Sequence, residues 1–216
     1  MRKWLAGGIG LWVTLWSTGV WAAPLDSDKA RTLLRERLAA LESFHADFSQ
    51  TVIDAAGDIT EESDGRFWLA RPDRFRWEYQ TPWPRLILSD GQRIWLYDED
   101  LEQATVKNFD GVLEQTPAGL LAGRLELLDE YAVTGEAEGS LLVVRLVPEQ
   151  PRADFRQIEL EFDRSELLVM RLWDSFGQQT RIQFLASDQE QPDSSLFEFT
   201  IPDGVDLIDE SDPSDR

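Results

Sequence analysis

The sequence predicts a mainly β protein with helices, an α+β chain. Its centre is one strongly curved antiparallel sheet whose inner side is covered by helices. Three observations predict it. Apolar and polar residues alternate at period two over most of the chain. Short turn signals such as Asp90-Gly91 divide these runs into hairpins. Two segments alone carry a helical period, so they are the candidates for covering the sheet face turned away from water.

The chain opens with Arg2 and Lys3, and an uncharged, mostly apolar run follows over residues 4–23. Val20-Trp21-Ala22 puts small side chains at the two positions a signal peptidase reads. Residues 1–22 are therefore expected to be a cleavable secretory signal. The run is at the short end for a membrane span, and Gly7, Gly8, Gly10, Thr14, Ser17, Thr18 and Gly19 interrupt it. With no cysteine in the chain, neither a disulfide nor a lipid anchor on an N-terminal cysteine is possible. The expected product is an exported, unanchored, single domain, residues 23–216, long enough to bury its own core.

A helix is predicted over residues 28–41, where Leu33, Leu34, Leu38 and Leu41 recur at three-and-four spacing and Asp26 or Ser27 caps the start. The period then changes to two. Phe44, Ala46, Phe48 and Val52 form one strand face, and Gly65, Phe67 and Leu69 the next. Arg71-Pro72 breaks the run. Phe75, Trp77 and Tyr79 then alternate with Arg74, Arg76 and Glu78, one face aromatic and one charged. Leu86 and Leu88 lead into the Asp90-Gly91 turn, and residues 94–97 return. Later strands are predicted at 141–147, 156–162, 166–173, 179–185 and 196–201, with loops at 163–165 and 175–177. Between the two sets, residues 114–128 read as helix, with Pro117 near the first turn and Leu120, Leu121, Leu125 and Leu128 on its apolar side. Gly119 and Gly123 weaken it by about 1 kcal/mol each. This segment is either an ordinary crossover or a movable cover. The acidic tail, residues 209–216, is expected to be disordered.

After loss of the signal, 19 cations face 41 acids, a net charge of −22. Such a surface repels phosphate backbones and anionic headgroups, which argues against a nucleic-acid partner. Catalytic signatures are missing. The chain has one histidine, His45, and no H-E-x-x-H, G-x-S-x-G, Walker loop or G-x-G-x-x-G. His45 reads as a hydrogen-bonding residue, and Asp98-Glu99-Asp100 as a solvated turn. No catalytic residue, metal site or cofactor is expected. Trp68, Trp77, Trp83, Trp95 and Trp173 remain beyond the signal, beside eleven phenylalanines. They either fill a core or line an apolar hollow, because the inside of a curved sheet offers more surface than two short helices cover.

Several blocks in order resemble the outer-membrane lipoprotein carrier family, LolA. Ser43-Phe44-His45-Ala46-Asp47-Phe48-Ser49-Gln50 resembles its opening strand. Gly65-Arg66-Phe67-Trp68 and Arg71-Pro72-Asp73-Arg74-Phe75-Arg76-Trp77 are similar to its G-x-[FL]-W…R-P…F-x-W signature. Leu88-Ser89-Asp90-Gly91 with Trp95 and Tyr97 resembles its next hairpin, and Thr116-Pro117 with Leu120-Leu121 its lid helix. Phe197-Phe199 and Pro202-Asp203-Gly204-Val205-Asp206 resemble its closing strand. The resemblance spans residues 28–208.

It implies an incomplete antiparallel β-barrel closed by a helical lid, and a periplasmic chaperone rather than an enzyme. The cargo would be triacylated lipoproteins, received from an inner-membrane ABC exporter (LolCDE) and handed to an outer-membrane acceptor (LolB), by a monomer. LolB is itself a lipoprotein, which the missing cysteine argues against here. Three acyl chains hold on the order of 45 methylenes, so exposing them to water costs on the order of 36 kcal/mol at ~0.8 each. By the same resemblance Arg71 is the lid-locking arginine, Phe67, Phe75, Trp77 and Trp95 are cavity or rim residues, and Leu120 and Leu121 are lid contacts. The acidic surface and the pair Gly119 and Gly123 depart from the pattern, the glycines implying a looser lid. Two other readings stand beside this one: an envelope-stress module that senses lipid or lipoprotein with the same barrel, and a polysaccharide-binding or hydrolytic domain using tryptophans and carboxylates. N-terminal sequencing of the exported protein should read Ala23 first; a chain still starting in the leader would overturn the predicted cleavage.

Overall fold

The computed structural model describes residues 23–109, 118–150 and 155–211. The expected leader, the start of the 114–128 helix up to Pro117, and residues 212–216 lie outside the described residues. Among the described residues, the strands are β1 Ala23–Leu25, β2 Ser43–Ile53, β3 Ile59–Ala70, β4 Arg74–Thr81, β5 Arg85–Asp90, β6 Arg93–Asp98 and β7 Gln103–Asn108. They continue as β8 Tyr131–Glu138, β9 Leu141–Pro148, β10 Gln157–Asp163, β11 Glu166–Trp173, β12 Gln179–Asp188 and β13 Asp206–Glu210. They form one sheet in the order β1-β8-β9-β10-β11-β12-β2-β3-β4-β5-β6-β7-β13. Every neighbouring pair described is antiparallel except β7–β13, which is parallel. β1 and β13 are its two edges, so the barrel is incomplete.

Curvature follows from ring contacts that a flat sheet forbids. β4 and β12 are three strand spacings apart, roughly 14 Å if flat. Yet the Trp77 and Phe184 rings sit 6.3 Å apart, and Phe67 and Phe184 5.9 Å apart. Gly65 permits the coil. It lies opposite Phe48 in β2 and beside a register shift against β4. A Cβ there would stand 2.0 Å from the Glu78 carbonyl and 2.7 Å from the Phe48 ring. Gly65 is thus a place where backbone and ring approach too closely for any side chain.

One apolar cluster fills the concave side, drawing on Phe44, Phe48, Phe67, Phe75, Trp77 and Phe184 at one end and on Leu142, Val144, Ile158, Leu160 and Phe162 at the other. The first helix, α1 Ser27–Ala40, buries Ala30, Leu34 and Leu38 into it, with Asp26 as N-cap accepting from the Lys29 N–H at 2.8 Å. Leu33, on the predicted apolar side, is only half-buried. Ser27 Oγ donates to the Val133 carbonyl at 2.8 Å, and Arg31 donates to the carbonyls of Leu128 and Tyr131, which fixes α1 to the start of β8. No helix among the described residues is long and apolar enough to cross a membrane.

Three sequence expectations need correction. The 114–128 helix is interrupted: α2 is Ala118–Ala122, and Leu125–Glu130 is a separate 3-10 turn. Residues 196–201 are not a strand. Asp193 Oδ1 accepts from the Ser195 N–H at 2.9 Å and starts a 3-10 turn, Ser194–Phe197. The sheet is closed instead by β13. Asp209 and Glu210, expected in the disordered tail, belong to that strand.

Candidate functional site

The strand alternation sends Phe67 and Leu69 of β3, and Phe75, Trp77 and Tyr79 of β4, to the concave face. Phe67 lies directly across from Trp77, ring to ring at 4.7 Å, and Leu69 across from Phe75. Phe48 closes on Trp77 and Tyr79 at 5.3 and 5.2 Å, edge to face. Tyr79 donates to Gln50 Oε1 at 3.1 Å, and burial raises its phenol above the usual range. This is a continuous aromatic floor.

α2 lies over it. Leu120, Leu121 and Ala122 are all buried. Phe67, Leu69, Phe75, Trp77, Leu121 and Ala122 surround a crevice too narrow to hold a water molecule. The hollow expected from composition is therefore closed in this structure, with lid and floor in contact.

The last four carbonyls of α2 explain how it is held on the sheet. A helix leaves such carbonyls without internal partners. Here two are satisfied locally: Gly123 N–H donates to the Leu120 carbonyl at 3.4 Å, and Arg124 N–H to the Gly119 carbonyl at 3.0 Å. That is a Schellman ending with glycine at the residue after the cap, φ +111°. The other two are satisfied by the β3–β4 turn. Arg71 Nη2 donates to the Leu121 carbonyl at 3.2 Å, and the Asp73 N–H to the Ala122 carbonyl at 3.3 Å. Burial pulls the Arg71 guanidinium below the usual arginine range, opposed by Glu42. Arginine retains its charge even so, which makes it a permanent donor. Its backbone N–H donates to the Glu42 carbonyl at 2.9 Å, so the strut stands on the entry to β2.

Gly123, expected to lie within the helix and loosen it, instead follows its last residue. It ends the helix at a backbone angle that side chains resist, and a Cβ there would press on Arg71 Cδ and Nε at 3.2 Å. Asp73 and Arg124 are site residues that sequence reasoning misses. Arg124 Nε donates to Asp73 Oδ1 at 3.1 Å. A signal for Arg124 exists in the chain: a glycine followed by a cation after an apolar helix marks a C-terminus.

Six of the seven predicted site residues come together: Arg71, Phe67, Phe75, Trp77, Leu120 and Leu121. Trp95 does not. It lies on the convex face in a separate cluster with Leu86, Leu88 and Val106, its ring 5.2 Å from Phe199. β6 turns Ile94 inward, and period two then turns Trp95 outward. A larger hollow of about 600 Å³ lies beside that cluster, lined by Arg76, Glu78, Arg85, Glu99, Glu198 and Phe199. Its charged lining rules it out for fatty chains. His45 is also outside the site, stacked on Trp68 at 5.1 Å and 3.4 Å from Asp188 Oδ2.

The family described as Outer membrane lipoprotein carrier protein LolA matches residues 39–200. The chain belongs to the LolA family. It is 39% identical over 195 residues to an outer-membrane lipoprotein carrier protein of Chromohalobacter salexigens, covering 87% of this chain and 91% of that one. It is 39% identical over 168 residues to the carrier protein of Alkalilimnicola ehrlichii, 77% of each. A crystal structure of an uncharacterized conserved protein from Thermus thermophilus shares the fold, with a TM-score of 0.55 at 12% identity, over 86% of this chain and 100% of that one. The LolA family chain is thus a lipoprotein carrier, with no reaction to catalyse.

Replacing the cap glycine tests the latch. Gly123→Ala is expected to weaken the closed lid by about 1–2 kcal/mol through its left-handed backbone. Amide exchange across residues 119–124 should quicken roughly 5- to 30-fold. Unchanged exchange there would show that the glycine does not hold the lid.

Proposed function

We propose that this carrier takes the acyl chains of triacylated lipoproteins onto its concave aromatic face, beneath a lid that Arg71 holds shut when the protein is empty. It works in the periplasm as a monomer, receiving cargo from an inner-membrane ABC exporter of the LolCDE kind and delivering it to an outer-membrane acceptor of the LolB kind. The observation that carries the reading is the bond from Arg71 to the Leu121 carbonyl, set directly over an apolar floor. A half-buried guanidinium donating to a carbonyl of the covering helix has the form of a catch.

The magnitudes support it. Burial of Leu120 and Leu121 contributes about 1.5–3 kcal/mol each, and a charged hydrogen bond adds about 1.5–3 kcal/mol. A single acyl chain of roughly 15 methylenes gains on the order of 12 kcal/mol on leaving water. Cargo therefore outweighs the lid's own contacts, and closure still outweighs leaving the empty floor wet. The apolar lining of the crevice suits a ligand that is recognised by length and greasiness alone.

Arg71→Leu removes the donor while keeping an apolar stem. It should load lipoprotein at least as well as the parent but deliver it poorly, because loaded and empty states no longer differ by a catch. Normal delivery to a purified acceptor in a transfer assay would discard the lock. Phe75→Glu should depress loading by roughly 10-fold or more, since a carboxylate buried among acyl chains costs several kcal/mol. Loading at the parental level would remove Phe75 from the cargo site.

A further inference from the structure

We propose that Asp73 and Arg124 form a second lid latch, an ionic clasp that responds to salt and works separately from the Arg71 hydrogen bond. The inference rests on the reading of α2 as a movable lid.

The clasp joins three places. Asp73 sits in the β3–β4 turn with φ +63°, a left-handed position that Asp and Asn tolerate better than most residues. Its carbonyl accepts from Ser89 Oγ at 2.6 Å, and Ser89 is fully buried, so the turn is pinned to β5. Arg124 follows the lid helix directly. Its guanidinium reaches Asp73 at 3.1 Å and lies 5.3 Å from the centre of the Phe109 ring. Phe109 is the residue at which the chain leaves β7 toward the lid, and Arg124 is where the chain comes down from it. One side chain therefore ties the two feet of the lid segment to each other and to the turn that caps it. Glu126 stands at 3.9 Å from Arg124 as a weaker second acid.

The two latches differ in physical kind. Arg71 is half-buried and donates to a neutral carbonyl, an interaction that salt screens little. Arg124 and Asp73 keep 35% and 25% of their side-chain surface in water. Their attraction is between full charges at a wet boundary, where the Debye length falls from about 10 Å at 0.1 M salt to about 3 Å at 1 M. Salt should therefore loosen the clasp and leave the Arg71 bond in place.

The chain has no cysteine, so one introduced thiol reports on the lid without background. Ala122→Cys places it at a buried lid position with little change of volume. The measurement is its rate of modification by a maleimide in the cargo-free protein, at about 0.05 M and about 1 M NaCl. With the clasp intact, the higher salt should speed labelling about two- to five-fold, the range of a partly exposed ion pair. Adding Asp73→Asn keeps the left-handed turn and its N–H but removes the charge. It should raise the low-salt rate by a similar factor and abolish the salt response. Arg124→Gln should do the same from the lid side and serves if the turn variant folds poorly. A salt response that survives in both variants, or low-salt labelling as slow as in the parent, overturns the clasp. Because no cargo is present, either result stands apart from whether the passenger is a lipoprotein; loading and transfer assays decide that separately.

Discussion

The closed state depends on which groups satisfy the last carbonyls of a five-residue helix. α2 is too short to persist alone, since even helices of about 12–15 residues are marginal in water. Its final two carbonyls are capped by groups of the β3–β4 turn, the Arg71 guanidinium and the Asp73 N–H. The lid thus exists as a helix because it is docked. Lifting it strips two caps and two buried leucines at once, which makes closure cooperative and gives it two well-separated states. A hinge made of a stable, self-capped helix would lack that coupling.

The sheet supplies the other half of the constraint. Coiling brings β4 and β12 rings together, so the aromatic side chains of the floor pack on one another when nothing else is present. Among the described residues, Trp77 Nε1 and Arg71 Nε are buried without hydrogen-bond partners in this state. Each such donor costs about 1–3 kcal/mol relative to a satisfied one. The closed interior is well packed but polar-unsatisfied at the two residues that face the lid's contacts.

How far this was legible in the sequence depended on the range of the interactions. Period two placed Phe44, Phe48, Phe67, Phe75 and Trp77 on one face, and three-and-four spacing placed Leu34 and Leu38 of α1, because those patterns are local. Trp95 was misplaced because an aromatic in a strand shows that it is buried, not on which side. Its face is settled by Ile94, whose inward turn needs the register with β5 and β7. β8 was missed because Ala132, Gly135, Glu136, Ala137 and Glu138 give weak strand signals; its pairing with β1 and β9 overrides them. Residues 196–201 alternate like a strand, but Asp193 caps a turn first. Phe197 and Phe199 are apolar for another reason: Phe197 is buried beneath the Arg74 guanidinium, and Phe199 packs on Trp95 and Tyr97. The latch itself was visible only as far as Arg71. Asp73 and Arg124 are 51 residues apart, and nothing in either neighbourhood announces the other.

The convex face matters for what it withholds. A carrier of greasy cargo has to keep a large apolar surface available on one side and none on the other, or it would itself aggregate. The C-terminal segment covers part of the convex face. Phe199 covers Trp95 and Tyr97, Arg76 donates to the Leu196 carbonyl at 3.4 Å, and β13 covers the outer edge of β7. Acidic side chains and ion pairs occupy the outer surface of β8–β11, where Glu159 bridges Arg145 at 2.8 Å and Arg171 at 2.7 Å. A high net negative charge repels anionic headgroups and other copies of the same chain. Asp209 and Glu210, read from the sequence as the start of a disordered tail, take part in covering the outer edge of β7 through β13.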